Sequence, residues 1–354
     1  MSIQKPYDLI VNIGRYEPPH LGHIRNFKNS FELSDTVLIL IGSSDSARTS
    51  KNPFTFKERR DMIFNSLLED GIIDHPFAKQ STNKNRVFFV PLNDYLYDEN
   101  KWVISVQKSV TNTLACSFIK ESEAKIAILG HEKDSSSYYL KSFPAWDYKD
   151  TGGYVTIGNR IVDATDIRTL MFEDKLDFVQ GVVPKSTYEF LSKFIKTDEF
   201  KNLQDEYNFI KKYKKSWEVA PYPATFMCAD AVCIQGGHVA LVKRKSAPGK
   251  GLWAIPGGYV NQNETIQEAA IRELREETRI KVPPAILKSN ITYKEVFDHP
   301  SRSLRGRTIT VAYLIELPVG SNGLDKLKGA DDAEKAKWIP ISKIGSMGPE
   351  LFED

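Results

Sequence analysis

The apolar run Leu9–Ile13 passes directly into Gly14-Arg15-Tyr16-Glu17-Pro18-Pro19-His20-Leu21-Gly22-His23, and this stretch limits the possible folds more than any other in the chain. A short apolar run stopped by glycine and followed by a Pro-His-x-Gly-His turn reads as strand, loop and helix start. At a helix start the first backbone N–H groups lack intrahelical partners, and the dipole adds positive potential, so an anion is favoured there. His20 and His23 are three apart and share one face of that helix, so both can reach the same anion. On their own they imply phosphate and nothing more.

Downstream, strand and helix patterns alternate. Val37–Ile41 is a β-branched run ending in Gly42, and the polar segment Ser43–Asn52 reads as a loop. Asn52-Pro53-Phe54-Thr55 leads into a helical period beginning Phe56-Lys57-Glu58-Arg59. Val87–Leu92 reads as a strand, Trp102–Val110 as a helix, and Lys125–Leu129 as a further strand that ends in Gly130. This alternation implies a parallel sheet with ligands beyond the carboxyl ends of its strands, which is where the Gly14 motif sits. The polar run from Gly130 to Tyr139, with His131 and Asp134, follows such a strand end. It reads as a solvated loop or a substrate loop, and its position favours the second.

With 354 residues the chain suits two domains. Its 41% hydrophobic and 27% charged residues are those of a soluble globular protein. No stretch is apolar enough to span a membrane, and there is no charged start with a long apolar run behind it, so neither a membrane anchor nor a signal peptide is expected. A net charge of +2 argues against a dedicated nucleic-acid binder. Cys116, Cys228 and Cys233 form no metal-ligand pattern, and their odd number suits a reducing, cytoplasmic compartment. From about Ser186 to Lys215 the chain is charged with helical periodicity, and Pro221-Tyr222-Pro223 is a stiff break. The expected organisation is a first domain over 1–190, a charged helical linker over 191–222 and a second domain over 223–354. Oligomeric state is not legible.

The Gly14–His23 segment resembles the signature of the HxGH nucleotidyltransferase superfamily, and its Gly-Arg-aromatic opening is most similar to archaeal-type nicotinamide mononucleotide (NMN) adenylyltransferases. Asn52-Pro53-Phe54-Thr55 with Glu58-Arg59, Trp102, and Ile161-Val162-Asp163-Ala164-Thr165-Asp166-Ile167-Arg168 extend the similarity over the first half of the chain. The resemblance implies a Rossmann-like domain with a parallel sheet. It also implies Mg²⁺-assisted transfer of AMP from ATP to NMN, giving NAD and pyrophosphate. In that reading His20 and His23 meet phosphates, and Thr165 and Arg168 hold the outer phosphates of ATP. Gly14, Arg15, Tyr16, Gly22, Asn52, Trp102, His131 and Asp134 line the substrate site. Trp102 either stacks on the nicotinamide ring or belongs to the core. The family usually has Ser where this chain has Asp163, which is expected here to cap the helix beginning near Ala164. Another phosphate acceptor, such as FMN or a pantetheine phosphate, is an alternative.

In the second half, Thr225–Ile234, Gly236-Gly237 and His238–Lys243 read as a hairpin. After the loop Ser246–Gly251 come Gly258, Glu264 and Arg272-Glu273-Leu274-Arg275-Glu276-Glu277. Glu273, Glu276 and Glu277 stand at i, i+3 and i+4, so three carboxylates crowd one helix face, which is unfavourable unless a cation joins them. Oxygen ligands select hard ions, so Mg²⁺ or Mn²⁺ is expected. Ala269 and Ala270, one turn earlier, are expected to leave room for a ligand. Gly258, Glu264, Arg272, Glu273, Glu276 and Glu277 together resemble the Nudix box, with Arg272 expected to orient a carboxylate. The similarity implies an α/β/α sandwich with a mixed sheet and metal-dependent hydrolysis of a diphosphate. With Leu252–Val260 and the arginine-bearing segment 297–307, it is most similar to the ADP-ribose pyrophosphatase branch, which also contains non-hydrolytic nucleotide sensors. The family's glycine near the end of the box is Arg279 here, and a different helix end is expected because Arg adopts the left-handed conformation only at a cost.

Overall fold

The computed structural model describes residues 5–74, 85–130, 140–150, 155–157, 160–321 and 323–353, without the side chains of 155–157 and 160–162. His131 and Asp134 lie outside the described residues. The chain divides into two compact units between Asn202 and Leu203.

In the first unit, β1 (Leu9–Gly14), α1 (Leu21–Leu33), β2 (Thr36–Ile41), α2 (Phe56–Glu69), β3 (Arg86–Pro91), α3 (Glu99–Cys116), β4 (Ile126–Gly130) and β5 (Asp147–Asp150) follow in order. The five strands form one sheet in the order β3-β2-β1-β4-β5, every neighbouring pair parallel. The period of two divides β1 and β2 between two cores. Ile10, Val37, Ile39 and Ile41 face α1 and α2 through Phe27, Phe31, Ile63 and Leu67. Leu9, Val11, Leu38 and Leu40 face α3 through Val106, Val110 and Leu114. Each such buried side chain is worth roughly 1.5–3 kcal/mol relative to exposure. With helices on both faces, the strand order reverses beside β1, so the loop after β1 lies at the switch point where this architecture binds ligands.

A short hairpin, β6 (Val155–Ile157) and β7 (Arg160–Val162), precedes α4 (Ala164–Phe172), and α5 (Lys185–Phe194) follows. Next is α6 (Asp198–Ser216), whose span includes the division between units. Asp163 caps α4, accepting from the N–H groups of Thr165 at 2.7 Å and Asp166 at 3.0 Å, while the Asp163 N–H reaches back to Asp166. This is the N-cap expected from the sequence.

The second unit contains β8 (Thr225–Gln235), β9 (His238–Arg244), β10 (Trp253–Ala254), β11 (Gly257–Tyr259), α7 (Ile266–Thr278), α8 (Pro284–Ser289), β12 (Ile291–Phe297), β13 (Arg307–Leu317), β14 (Ala333–Pro340) and α9 (Ile341–Ile344). Its seven-stranded sheet is mixed: β13 runs parallel to β8, and the other pairings are antiparallel. Helix α7 packs on this sheet through Ala269, Ala270, Ile271 and Leu274, against Ala229, Ala231, Cys233 and Ile315.

Two expectations are corrected here. Ala269 and Ala270 are both 0% exposed, so they provide close contact between helix and sheet and leave no ligand space. Helix α7 ends as the family's glycine would end it: Arg279 adopts φ 54°, ψ 25°, and its N–H donates to the Arg275 carbonyl at 3.0 Å. The buried Ile280 and the flanking contacts hold a left-handed cap that the side chain alone disfavours. Among the described residues, no helix is long and apolar enough to cross a membrane.

Candidate active sites

The first site is built on the loop between β1 and α1. His20 is the N-cap of α1 and His23 its third residue. The Gly22 N–H donates to His20 Nδ1, and the His20 N–H donates to His23 Nδ1, each at 3.2 Å. The two rings stack with centroids 3.7 Å apart, and Tyr16 meets His23 edge-on at 4.9 Å. Because each Nδ1 accepts a backbone N–H, the proton of each neutral ring belongs on Nε2. The pair thus presents N–H donors at a helix N-terminus, as an anion requires. Tyr16 is held at φ 55°, and a Cβ on Gly14 would lie 2.8 Å from its ring, so glycine is needed there.

Arg168 reaches this loop from α4. Its Nη1 donates to the Glu17 carbonyl at 2.5 Å and its Nη2 to Thr165 Oγ1 at 3.2 Å, so Thr165 and Arg168 are joined as a unit. Burial, with the nearby Arg15, lowers the Arg168 guanidinium to about 10, which still leaves it charged at neutral pH. Asn52 closes a turn with Thr49, exchanging backbone and hydroxyl bonds at 3.2 Å. Trp102 is half-buried against the α3 side of the sheet, its ring 6.1 Å from Phe143.

Sequence reasoning gave Glu17 no role and used Arg59 only as a point of similarity. In the structure they pair at 3.1 Å inside the unit. Arg59 also donates to the carbonyls of Arg15, Gly42 and Ser43, which bind together the loops after β1 and β2. Its signal in the sequence was an arginine on the apolar stripe of α2, where a charge is tolerated only if fully partnered.

The second site centres on α7. Arg272 grips Glu264 with two bonds of 2.9 and 2.7 Å, donates to Glu273 at 2.8 Å and Glu276 at 2.9 Å, and reaches the Tyr259 carbonyl. Arg272 is thus bonded to three carboxylates, and its hydrogen bonds hold Glu264 down to about 2. Glu277 is buried and accepts from the Gly257 N–H at 3.1 Å. Burial, reinforced by the charge of Glu273, pushes its carboxyl up to about 8. Glu273 is raised too, by burial first.

Among the described residues, no group of three His, Cys, Asp or Glu side chains closes as a metal cage, and the cation joining Glu273 to Glu276 is the Arg272 guanidinium. The donors nevertheless suit a hard cation. All are carboxylates, and a Cβ on Gly258 would sit 2.4 Å from Glu273 Oε1, so glycine keeps open a cradle at that carboxylate. Beside this cradle lies a pocket lined by Asp230, Arg244, Gly257, Gly258, Arg302, Arg305 and Glu353. Of these, Gly257 and Gly258 in the 252–260 segment and Arg302 and Arg305 in the 297–307 segment carried a sequence signal.

One unit thus carries paired histidines at a helix start beyond a parallel sheet, and the other a carboxylate-rich helix on a mixed sheet, arrangements that resemble a nucleotidyltransferase domain and a Nudix domain. Comparisons with known proteins agree with both. The Cytidylyltransferase-like family matches residues 11–138, and the NUDIX domain family matches 225–353. The nicotinamide/nicotinic acid mononucleotide adenylyltransferase of Acinetobacter baylyi is 31% identical over 201 residues, covering 57% of this chain and 94% of the relative. The ADP-ribose pyrophosphatase of Methanocaldococcus jannaschii is 31% identical, covering 39% of this chain and 73% of the relative. A crystal structure from Francisella tularensis, a bifunctional NMN adenylyltransferase/ADP ribose pyrophosphatase complexed with AMP and a manganese ion, superposes with a TM-score of 0.83. It is 36% identical, over 98% of this chain and 96% of the other. The chain belongs to the family of bifunctional NMN adenylyltransferase/ADP-ribose pyrophosphatases.

Proposed function

We propose that the chain is a bifunctional enzyme of NAD metabolism. Its first domain, within residues 1–190, transfers AMP from ATP to NMN, releasing NAD and pyrophosphate. Its second, within 223–354, hydrolyses ADP-ribose to AMP and ribose 5-phosphate with Mg²⁺ or Mn²⁺. The observation that carries this reading is similarity over 98% of the chain to one protein having both activities.

In the transfer, an oxygen of the NMN 5′-phosphate attacks the α-phosphorus of ATP and pyrophosphate leaves. The substrate brings its own nucleophile, so the protein positions the reactants and stabilises charge on the phosphoryl oxygens. The Nε2–H groups of His20 and His23 donate to those oxygens. Arg168 and Thr165 hold the outer phosphates, where Mg²⁺ bound to ATP would further neutralise their charge. In the hydrolysis, water adds to one phosphorus and the bridging P–O bond breaks. Glu273, Glu276 and Glu277 would hold the divalent cation, with Arg272 hydrogen-bonded to the first two. When bound, that ion supplies Lewis acidity and a more acidic water.

The test uses the purified full chain with ATP and a panel of acceptors (NMN, nicotinate mononucleotide, FMN and pantetheine phosphate), and separately with ADP-ribose and each metal. His23→Ala should lower NAD synthesis on the order of 10²–10³-fold and leave ADP-ribose hydrolysis unchanged. Glu276→Gln should do the reverse. Near-normal NAD synthesis by His23→Ala would remove the histidine assignment, and absence of ADP-ribose turnover by the wild type would make the second domain a sensor.

A further inference from the structure

The pocket beside the Nudix helix has an unusual charge pattern. Arg244, Arg302 and Arg305 suit a diphosphate, but Asp230 and Glu353 are set among them, where negative charge would repel one. Asp230 is half-buried at the pocket wall, and its carboxylate accepts no hydrogen bond among the described residues, with the charges of Arg302 and Arg305 as its attractive neighbours. A Cβ on Gly257 would lie 1.9 Å from Asp230 Oδ1, so the backbone opposite has been cleared for this carboxylate. A half-buried carboxylate that accepts no hydrogen bond keeps its acceptor capacity open to the pocket, so a ligand that supplies hydrogen-bond donors is the natural complement.

Glu353 is aimed at the same space. It stands at φ 50°, a left-handed conformation that costs a non-glycine residue energy, and its side chain is 12% exposed. The segment carrying it is anchored: the Phe352 N–H donates to the Trp253 carbonyl at 2.8 Å, and Arg244 lies over the Phe352 ring at 4.2 Å. The Ser303 side chain and the Leu304 N–H, the latter at 3.4 Å, donate to Glu353, and Arg305 stands 3.9 Å from Oε2; with about four acceptor positions on a carboxylate, capacity remains.

Phosphate oxygens at neutral pH accept hydrogen bonds, whereas sugar hydroxyls also donate them. We propose that Asp230, with Glu353 beside it, reads the free hydroxyl groups of the sugar carried on the diphosphate, and so determines specificity for a sugar diphosphate over a plain nucleoside diphosphate ester. This rests on the ADP-ribose reading above and extends it to residues outside the Nudix box.

The test compares ADP-ribose as substrate with the methyl phosphoester of ADP as a competing ligand that lacks the second sugar. A hydrogen bond to a charged acceptor is worth enough that Asp230→Asn should raise KM for ADP-ribose about tenfold or more. The kcat should stay within about threefold and Ki for the methyl ester should not change. Tm should hold or rise, since the charge removed is one that burial disfavours more than its arginine neighbours favour it. Glu353→Gln should show the same split with a smaller change. Unchanged KM, a parallel rise of KM and Ki, a loss confined to kcat, or a fall in Tm each overturns the proposal. If the wild type does not hydrolyse ADP-ribose, the activity reading fails separately, and calorimetric Kd values of the same two ligands then decide the question: selective weakening of ADP-ribose supports it and equal weakening overturns it.

Discussion

Glu17 and Arg59 face each other at 3.1 Å with both side chains 1% exposed, an ion pair that joins the β1–α1 loop to α2. Burial pushes the Glu17 carboxyl upward against the pull of its partner, and burial lowers Arg59 as well, so ionising the pair carries a desolvation cost. The return is geometric. Arg59 fixes the carbonyls of Arg15, Gly42 and Ser43, and the Glu17 backbone in turn anchors Arg168. Arg59→Ala would leave a buried carboxylate and three carbonyls without this donor, a loss of about 3–5 kcal/mol. Denaturant titration of the full chain should show a destabilised first unit and NAD synthesis should fall with it, while ADP-ribose hydrolysis persists. Arg59→Lys should rescue little, because an ammonium cannot reproduce the planar fork that spans those carbonyls.

Arg279 gives a prediction of opposite sign. It holds a left-handed cap at φ 54°, which glycine adopts without a Cβ penalty. Arg279→Gly should stabilise the second unit by roughly 0.5–1 kcal/mol, read as a rise in its Tm, because the backbone is already in the conformation glycine prefers. The carboxylates of α7 should keep their positions, so ADP-ribose turnover should change little. A lower Tm would mean that the Arg side chain makes a stabilising contribution of its own.

These two arginines mark the boundary of what the sequence discloses. Local rules carried the strand–loop–helix at Gly14–His23, the parallel sheet, the Asp163 cap and the carboxylate contacts of Arg272, because each depends on spacing within a few residues. They failed at β5, whose Asp-Tyr-Lys-Asp sequence forms an edge strand with three exposed residues and so lacks the apolar signature of the central strands. They failed for Ala269 and Ala270, since small residues on a helix face fit a ligand cleft and a close helix–sheet contact equally well, and only the sheet decides. Helix propensity at Arg279 was overridden by tertiary context. Glu17, Asp230 and Glu353 gain their meaning from partners 42, 27 and 49 residues away (Arg59, Gly257 and Leu304), and no local pattern records such a contact.

Glu277 links metal binding to pH. Its carboxyl is pushed up to about 8 by burial, with Glu273 adding to the rise and the Gly257 N–H opposing it. A folded-state value above the unfolded one means that the metal-free fold binds this proton more tightly than the unfolded chain does. The contribution of Glu277 to stability is therefore present at low pH and is lost as pH rises from about 4.5 to about 8. A divalent cation needs the deprotonated carboxylate, so it binds in competition with that proton. Metal affinity should climb by up to about tenfold per pH unit below 8 and level off above it, with about one proton released per ion near pH 7 and almost none near pH 9. Calorimetry with Mn²⁺ in buffers of different ionisation enthalpy measures the proton release directly. The Tm gained on adding metal should grow across the same interval, since the fold loses stability there only in the metal-free state. Glu277→Gln should bind metal more weakly and lose most of the pH slope. A slope that survives in that variant would assign the proton to another group, of which Glu273, also raised by burial, is the nearest on the helix face.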